Sequence, residues 1–208
     1  MKTPTYRWFF TAALTFGGLT YVPVTAAAQT MAFCALRDPV IQIYELFPEA
    51  DAYRSLVRTI GEDTRRRVVD ALPFGLHFNE LGYHTVYQAM LDSRPIGLVH
   101  ARSEVGPWGL IEVVWALDTD LSIRDFRFQR LRGTVSREVL ERELSGVLGG
   151  LDQRALEGLV ARREDLRVLT PEATEIVDVL VRSALKAIVV TRAAWAPEVS
   201  AMSGLLQY

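Results

Sequence analysis

The spacing of apolar residues divides the chain into a helical stretch, a run of strands and a second helical stretch. From Asp38 to Ile60, the residues Ile43, Leu46, Tyr53, Leu56, Val57 and Ile60 recur at steps of three and four, the period of an amphipathic helix. Phe47-Pro48 interrupts them, and since proline breaks a helix interior, the stretch predicts two short helices with a kink. Arg65, Arg66 and Arg67 precede Val68, Val69 and Leu72 and read as a solvated helix face.

At His84 the period shortens. Thr85 to Leu91 is rich in β-forming residues and ends at Asp92-Ser93-Arg94-Pro95, a turn composition; Ile96 to Arg102 then supplies the second strand of a hairpin. Beyond Gly106-Pro107-Trp108-Gly109, the run Leu110 to Leu117 is the most strand-like in the chain, and Asp118-Thr119-Asp120 turns it into Leu121 to Arg130. In that last strand Leu121 and Ile123 share one parity while Phe126 and Phe128 share the other, so a β-bulge near Arg124-Asp125 would set all of them on one face.

After Gly133 the helical period returns. Ser136 is positioned as an N-cap ahead of Val139, Leu140, Leu144, Val147 and Leu148, with a stop at Gly149-Gly150. Asp152 can cap a second helix carrying Leu156, Leu159 and Val160. Thr170-Pro171-Glu172 opens a third, with Val177, Val181, Ala184 and Ile188 along one stripe. The predicted plan is α+β: a four-stranded antiparallel sheet over about residues 84–130, flanked by N-terminal and C-terminal helices packed on one face.

Composition narrows the function classes. Half of the 208 residues are apolar and 23% are charged, which suits one packed domain. With 23 Lys and Arg against 25 Asp and Glu, no broad positive field exists to hold nucleic acid. A single cysteine, Cys34, excludes an internal disulfide framework and multi-cysteine metal centres. His77, His84 and His100 lack metal-ligand spacing. No Gly-x-Ser-x-Gly elbow, Gly-x-Gly-x-x-Gly turn or phosphate-binding P-loop occurs. Residues 1–28 contain no acid, begin with Lys2 and Arg7, continue through an apolar run and end in Thr25-Ala26-Ala27-Ala28, the order of a secretory signal. Cleavage before Gln29 leaves a domain of residues 29–208 outside the cytoplasm, periplasmic or secreted, with an uncleaved N-terminal anchor as the alternative.

His100, Arg102 and Glu104 project from the same side of a strand. They read as a polar solvent-facing row, with a ligand cleft as the alternative; in the cleft reading His100 and Glu104 would serve a small-molecule enzyme as acid and base.

Two segments carry a resemblance. One runs from Gly106 to Phe126, a Gly-containing turn followed by paired strands with an acidic turn between them. The other is Leu169-Thr170-Pro171-Glu172-Ala173-Thr174-Glu175 opening the C-terminal helix. Together with Leu46-Phe47-Pro48-Glu49-Ala50, they resemble the FMN-binding domain family found in flavin subunits of membrane redox complexes, over about Glu45 to Val190. The resemblance implies FMN as cofactor, electron transfer with a membrane redox complex, and a phosphoester link to the threonine matched by Thr174. Glu172 stands where the family has glycine, a departure that keeps a flavin-free accessory module of the same fold as the alternative. Trp108, Trp115, Phe126 and Phe128 would offer the isoalloxazine an aromatic slot, with the core as the other reading of aromatics at strand spacing, and Gly109 in the turn is a further cofactor-binding candidate. Arg130, with Arg102 and Arg132, would supply phosphate contacts.

Overall fold

The computed structural model describes residues 38–77, 82–162 and 171–204. The signal-like segment 1–28, Cys34 and Thr170 lie outside the described residues. In chain order the elements are α1 (Val40–Leu46), β1 (Ala52–Ile60), α2 (Glu62–Ala71), β2 (Gly82–Leu91), β3 (Arg94–Gly106), β4 (Gly109–Leu117), β5 (Ile123–Arg130), α3 (Arg137–Leu148), α4 (Gln153–Ala161), α5 (Pro171–Ala194) and α6 (Ala196–Gly204). The fold is α+β, and the sheet is an antiparallel meander in the order β1-β2-β3-β4-β5.

The sheet has five strands rather than four, because residues 52–60 form β1 and not the second half of a kinked helix. Leu56, Val57 and Ile60 satisfy a three-four spacing, yet the same segment alternates Tyr53, Ser55, Val57 and Thr59 with Arg54, Leu56 and Arg58. Pairing decides between the two periods: all nine residues of β1 match β2 without a register shift, from Ala52 opposite Met90 to Ile60 opposite Gly82. The expected kink is where α1 stops, with Phe47 as its C-cap.

Local signals in the rest of the meander act as anticipated. Asp92 and Ser93 close the β2–β3 turn with φ of 48° and 64°, the pair of left-handed residues that a two-residue type I′ hairpin requires. In β5, Asp125 faces Ala116 and Ile123 faces Leu117, so Arg124 is the bulged residue. Ile123, Phe126 and Phe128 consequently join one core cluster, which also holds Leu121. The freed Arg124 turns to Glu49, 2.6 Å away, and lies over the Phe47 ring.

Helices cover both faces of the sheet, not one. The larger cluster packs Val86, Leu98, Val113, Trp115 and Leu117 against apolar residues of α2 through α6. On the other face Ile43 and Leu46 of α1 and its C-cap Phe47 cover Tyr87, Ala89, Val99, Ala101, Val114 and Ala116. This double cover explains why β4 is buried from Ile111 to Leu117 and reads as an almost unbroken apolar run. In α3, Leu140, Leu144 and Leu148 are buried. Asp152 Oδ1 accepts from the Ala155 N–H at 2.8 Å at the start of α4. Ser136 occupies the N-cap position of α3 in extended backbone, but its hydroxyl donates to Glu138 Oε2 instead of capping the helix.

Candidate functional site: the hairpin end and a buried polar row

The turn between β3 and β4 and the N-terminal part of α5 approach each other around Gly133. Gly109 holds φ at +116°, a conformation that favours glycine, and the adjoining Trp108 leaves 40% of its surface exposed. Gly133 brings the two elements together. A Cβ built on it would lie 3.2 Å from Trp108 Cε3 and 3.9 Å from Ile176 Cδ1, so the indole, the loop after β5 and α5 converge within one side chain's length. Thr174, half-buried, precedes Ile176 by two residues, and Glu175 between them is exposed.

Three of the four residues singled out for the cofactor, Trp108, Gly109 and Thr174, thus belong to segments that converge. Arg130 does not join them. It stands opposite Glu112, and Glu112 pairs with Ser103, in phase with the Val114 and Ala101 that face α1. The phase change comes from a second irregularity in β5, where Val113 faces Phe128 but Glu112 faces Arg130. The intervening Gln129 reaches Gln42 of α1 at 3.3 Å. Arg130 therefore lies on the α1 face, while α5 packs on the other. Arg132, exposed and next to Gly133, is the arginine nearest the convergence in sequence. Trp115, Phe126 and Phe128 are at most 1% exposed and form core, not a slot; the Trp115 indole N–H donates to Ser183 Oγ at 3.0 Å.

The row His100, Arg102, Glu104 does share one side of β3, but α5 covers it. His100 is 1% exposed and Arg102 fully buried. Arg102 Nε donates to Glu104 Oε1 at 2.8 Å, and Lys186 Nζ of α5 donates to Glu104 Oε2 at 3.0 Å. The carboxylate thereby bridges a strand cation and a helix cation. His100 Nδ1 lies 3.0 Å from Thr191 Oγ1 and 3.3 Å from the Ala187 carbonyl. A carbonyl only accepts, so this contact assigns the proton to Nδ1. Burial holds the His100 pKa well below its ordinary value, and the neighbouring Arg102 and His84 push it in the same direction. The His84 and Trp195 rings stand edge-on to it at 6.4 Å and 6.1 Å.

Chemically this is a helix-to-sheet clamp. Both Glu104 oxygens are engaged and His100 is neutral and sealed from solvent, so neither is presented to a substrate as acid or base. The missed partners were Lys186 and Thr191 of α5 for the row and Ser183 of α5 for Trp115. The available signal was the four-residue spacing of Ser183, Ala187 and Thr191, which puts two hydroxyls on a helix stripe that is otherwise apolar.

A groove of about 380 Å³ between α2, α4 and α5 is lined by Arg67, Ala71, Gln153, Val189, Arg192, Ala193 and Ala196. Its arginines serve the framework: Arg67 donates to the Ala193 carbonyl at 3.3 Å near the α5 C-terminus, and Arg192 bonds Gln153. Among the described residues no group of His, Cys, Asp and Glu is arranged to hold a metal, and no helix is long and apolar enough to cross a membrane. In comparisons with known proteins, no family model, curated protein or solved structure matches this chain.

Proposed function

We propose that this chain is an exported FMN-binding domain that passes electrons between a membrane redox system and a partner, with the flavin seated where the β3–β4 turn approaches the N-terminal part of α5. The observation that supports this reading is the convergence of Trp108, Gly133 and Ile176. It brings together the two segments, far apart in sequence, whose residues resemble the flavin family. The residues there suit the group in three respects. The exposed indole of Trp108 offers an aromatic face. Gly109 keeps the turn free of a side chain at a positive φ. The N-terminus of α5, a helix of 24 residues, offers a positive dipole end that favours a phosphate.

When bound, FMN would supply the electron transfer itself; the chain's part is to bind and orient it. Trp108 would hold the ring, Thr174 and the first α5 turn would face the phosphate, and Arg132 is placed better than Arg130 to neutralise it.

The exposed Glu175, a negative charge on the same helical turn as Thr174, supports a second reading in which the fold serves as a flavin-free accessory module. One preparation separates the two. The chain is expressed with its N-terminal segment in a bacterium that has a flavin transferase, purified from the periplasm, and examined by visible absorption before and after acid precipitation. The flavin reading expects a flavin spectrum that is lost or sharply reduced in Trp108→Ala. Colour that survives precipitation and disappears in Thr174→Ala locates a covalent link. A colourless protein that also leaves added FMN unquenched refutes the flavin reading in favour of the accessory module. Mass spectrometry of the same sample tests export, with an N-terminus at Gln29 as the expected result.

A further inference from the structure

The sheet has two edges, β1 and β5, and the chain treats them differently. On β5, the Ile123 N–H donates to the Leu151 carbonyl at 2.9 Å and its own carbonyl accepts from the Gly150 N–H at 2.7 Å. The Phe126 N–H donates to Asp125 Oδ1 at 2.8 Å, and its carbonyl accepts from Arg127 at 2.6 Å. The Phe128 N–H donates to Glu141 Oε1 at 2.7 Å, and its carbonyl accepts from Arg137 at 3.4 Å. Bulges further break this edge. On β1, by contrast, the backbone bonds among the described residues run to β2 alone.

Apart from two arginines, β1 also lacks the devices that blunt an edge. It is nine residues long without Pro or Gly, has no register shift, and is exposed on both faces along most of its length. Val57 is 59% exposed and Tyr53 38%. Its two arginines are folded back onto their own sheet: Arg54 Nε donates to Gln88 Oε1 at 3.0 Å, and Arg58 pairs with Glu198 at 2.6 Å.

We propose that β1 pairs antiparallel with β1 of a second copy about a two-fold axis at Ser55, joining the two sheets into one in a homodimer. The side-chain pattern selects both occupant and register. A two-fold perpendicular to the sheet sets one residue opposite itself and keeps each sheet face on its own side. An axis at Leu56 would place Arg54 opposite the partner's Arg58, and axes at Arg54 or Arg58 would set an arginine against itself; like charges directly opposite are unfavourable. An axis at Val57 would leave Tyr53 opposite the partner's Gly61, beyond the strand. The Ser55 axis alone places Tyr53 opposite the partner's Val57, twice by symmetry, an aromatic–β-branched pair that stabilises antiparallel ladders. It also sets Arg54 opposite the partner's Leu56, where the arginine stem covers apolar surface. Such isologous pairing closes on itself and stops at two chains.

The test uses the full chain. Sedimentation equilibrium of the purified protein is expected to show a monomer–dimer equilibrium. Tyr53→Lys with Val57→Lys sets lysine opposite lysine in both halves and is expected to weaken dimerisation at least about tenfold, with an unchanged far-UV spectrum because both side chains are exposed. In a Cys34→Ser background, Ser55→Cys is expected to form an intermolecular disulfide under mild oxidation faster than Leu56→Cys or Val57→Cys. A wild-type protein that sediments as a monomer throughout overturns the proposal. A dimer unaffected by the paired lysines, or fastest cross-linking at position 56 or 57, overturns the surface or the register. Slow hydrogen exchange of the β1 outer amides in a purely monomeric sample also overturns it, by assigning the edge to another part of the same chain.

Discussion

Acidification should weaken this fold through His100. The imidazole is 1% exposed, its Nδ1 is held 3.0 Å from Thr191 Oγ1, and Glu104 bridges Arg102 and Lys186 close by. Charging it would desolvate a cation beside Arg102, and burial together with Arg102 and His84 keeps its pKa well below the ordinary value of 6.5. A histidine whose folded pKa is depressed binds fewer protons in the folded state than in the unfolded state between that pKa and 6.5. Its contribution to stability is therefore complete above about pH 6.5 and shrinks as the pH falls through that window. With the folded imidazole neutral throughout, the loss between pH 7.5 and 5.5 is about 1.4 kcal/mol. The assay is urea unfolding followed by tryptophan fluorescence at both pH values, for the wild type and for His100→Gln. The Gln variant keeps a donor but cannot titrate, so contributions from carboxylates cancel in the difference. The wild type should lose more than the variant, by up to about 1.4 kcal/mol. Equal losses in both proteins would refute the argument that a neutral His100 under α5 is a condition of the folded state.

Three further outcomes follow from the packing. Glu104→Gln removes the carboxylate that touches both Arg102 and Lys186, and breaking this buried pairing should cost about 3–5 kcal/mol in urea unfolding. Replacing Arg102, Glu104 and Lys186 together by apolar residues should restore much of that loss. Ser183→Ala leaves the buried Trp115 indole N–H without its acceptor and should cost about 1–3 kcal/mol, measured in the same way. Gly97→Ala drives a methyl into the Phe47 ring and to 2.8 Å from the Leu117 carbonyl. It should destabilise by about 1–3 kcal/mol, whereas Gly61→Ala, with nothing within 4 Å of the new carbon, should stay near the wild-type midpoint.

Elements whose signal is local were legible. The α3 stripe of Leu140, Leu144 and Leu148, the Asp152 cap and the tight Asp92-Ser93 turn each rest on residues a few positions apart. The bulge at Arg124 was legible for a related reason, since a parity switch between Ile123 and Phe126 can be read along one strand. β1 was not, because Leu56 and Ile60, four residues apart, fit one face of a helix and one side of a strand alike, and only its partner β2 decides between them. At the candidate site, Trp108, Gly109 and Thr174 were named through the family resemblance of their segments, and the proximity of those segments is set by the packing around Gly133. The face occupied by Arg130 could not be read in the same way, because the slip at Gln129 that turns it toward α1 is visible only in the pairing of β5 with β4.

The amino-acid pattern by itself determined the α+β plan, the meander from β2 to β5 and the helices that follow, because periodicity, caps and turns act over a few residues. The tertiary structure alone decided that β1 belongs to the sheet, that α1 covers its second face, and that His100, Arg102 and Glu104 lie under α5 against Lys186 and Thr191 instead of facing water. The physical reason is that alternation along a strand says which residues share a side. What covers that side is set by elements some eighty residues away in the chain, and this decides whether a polar row is solvated, open to a ligand or clamped in the core.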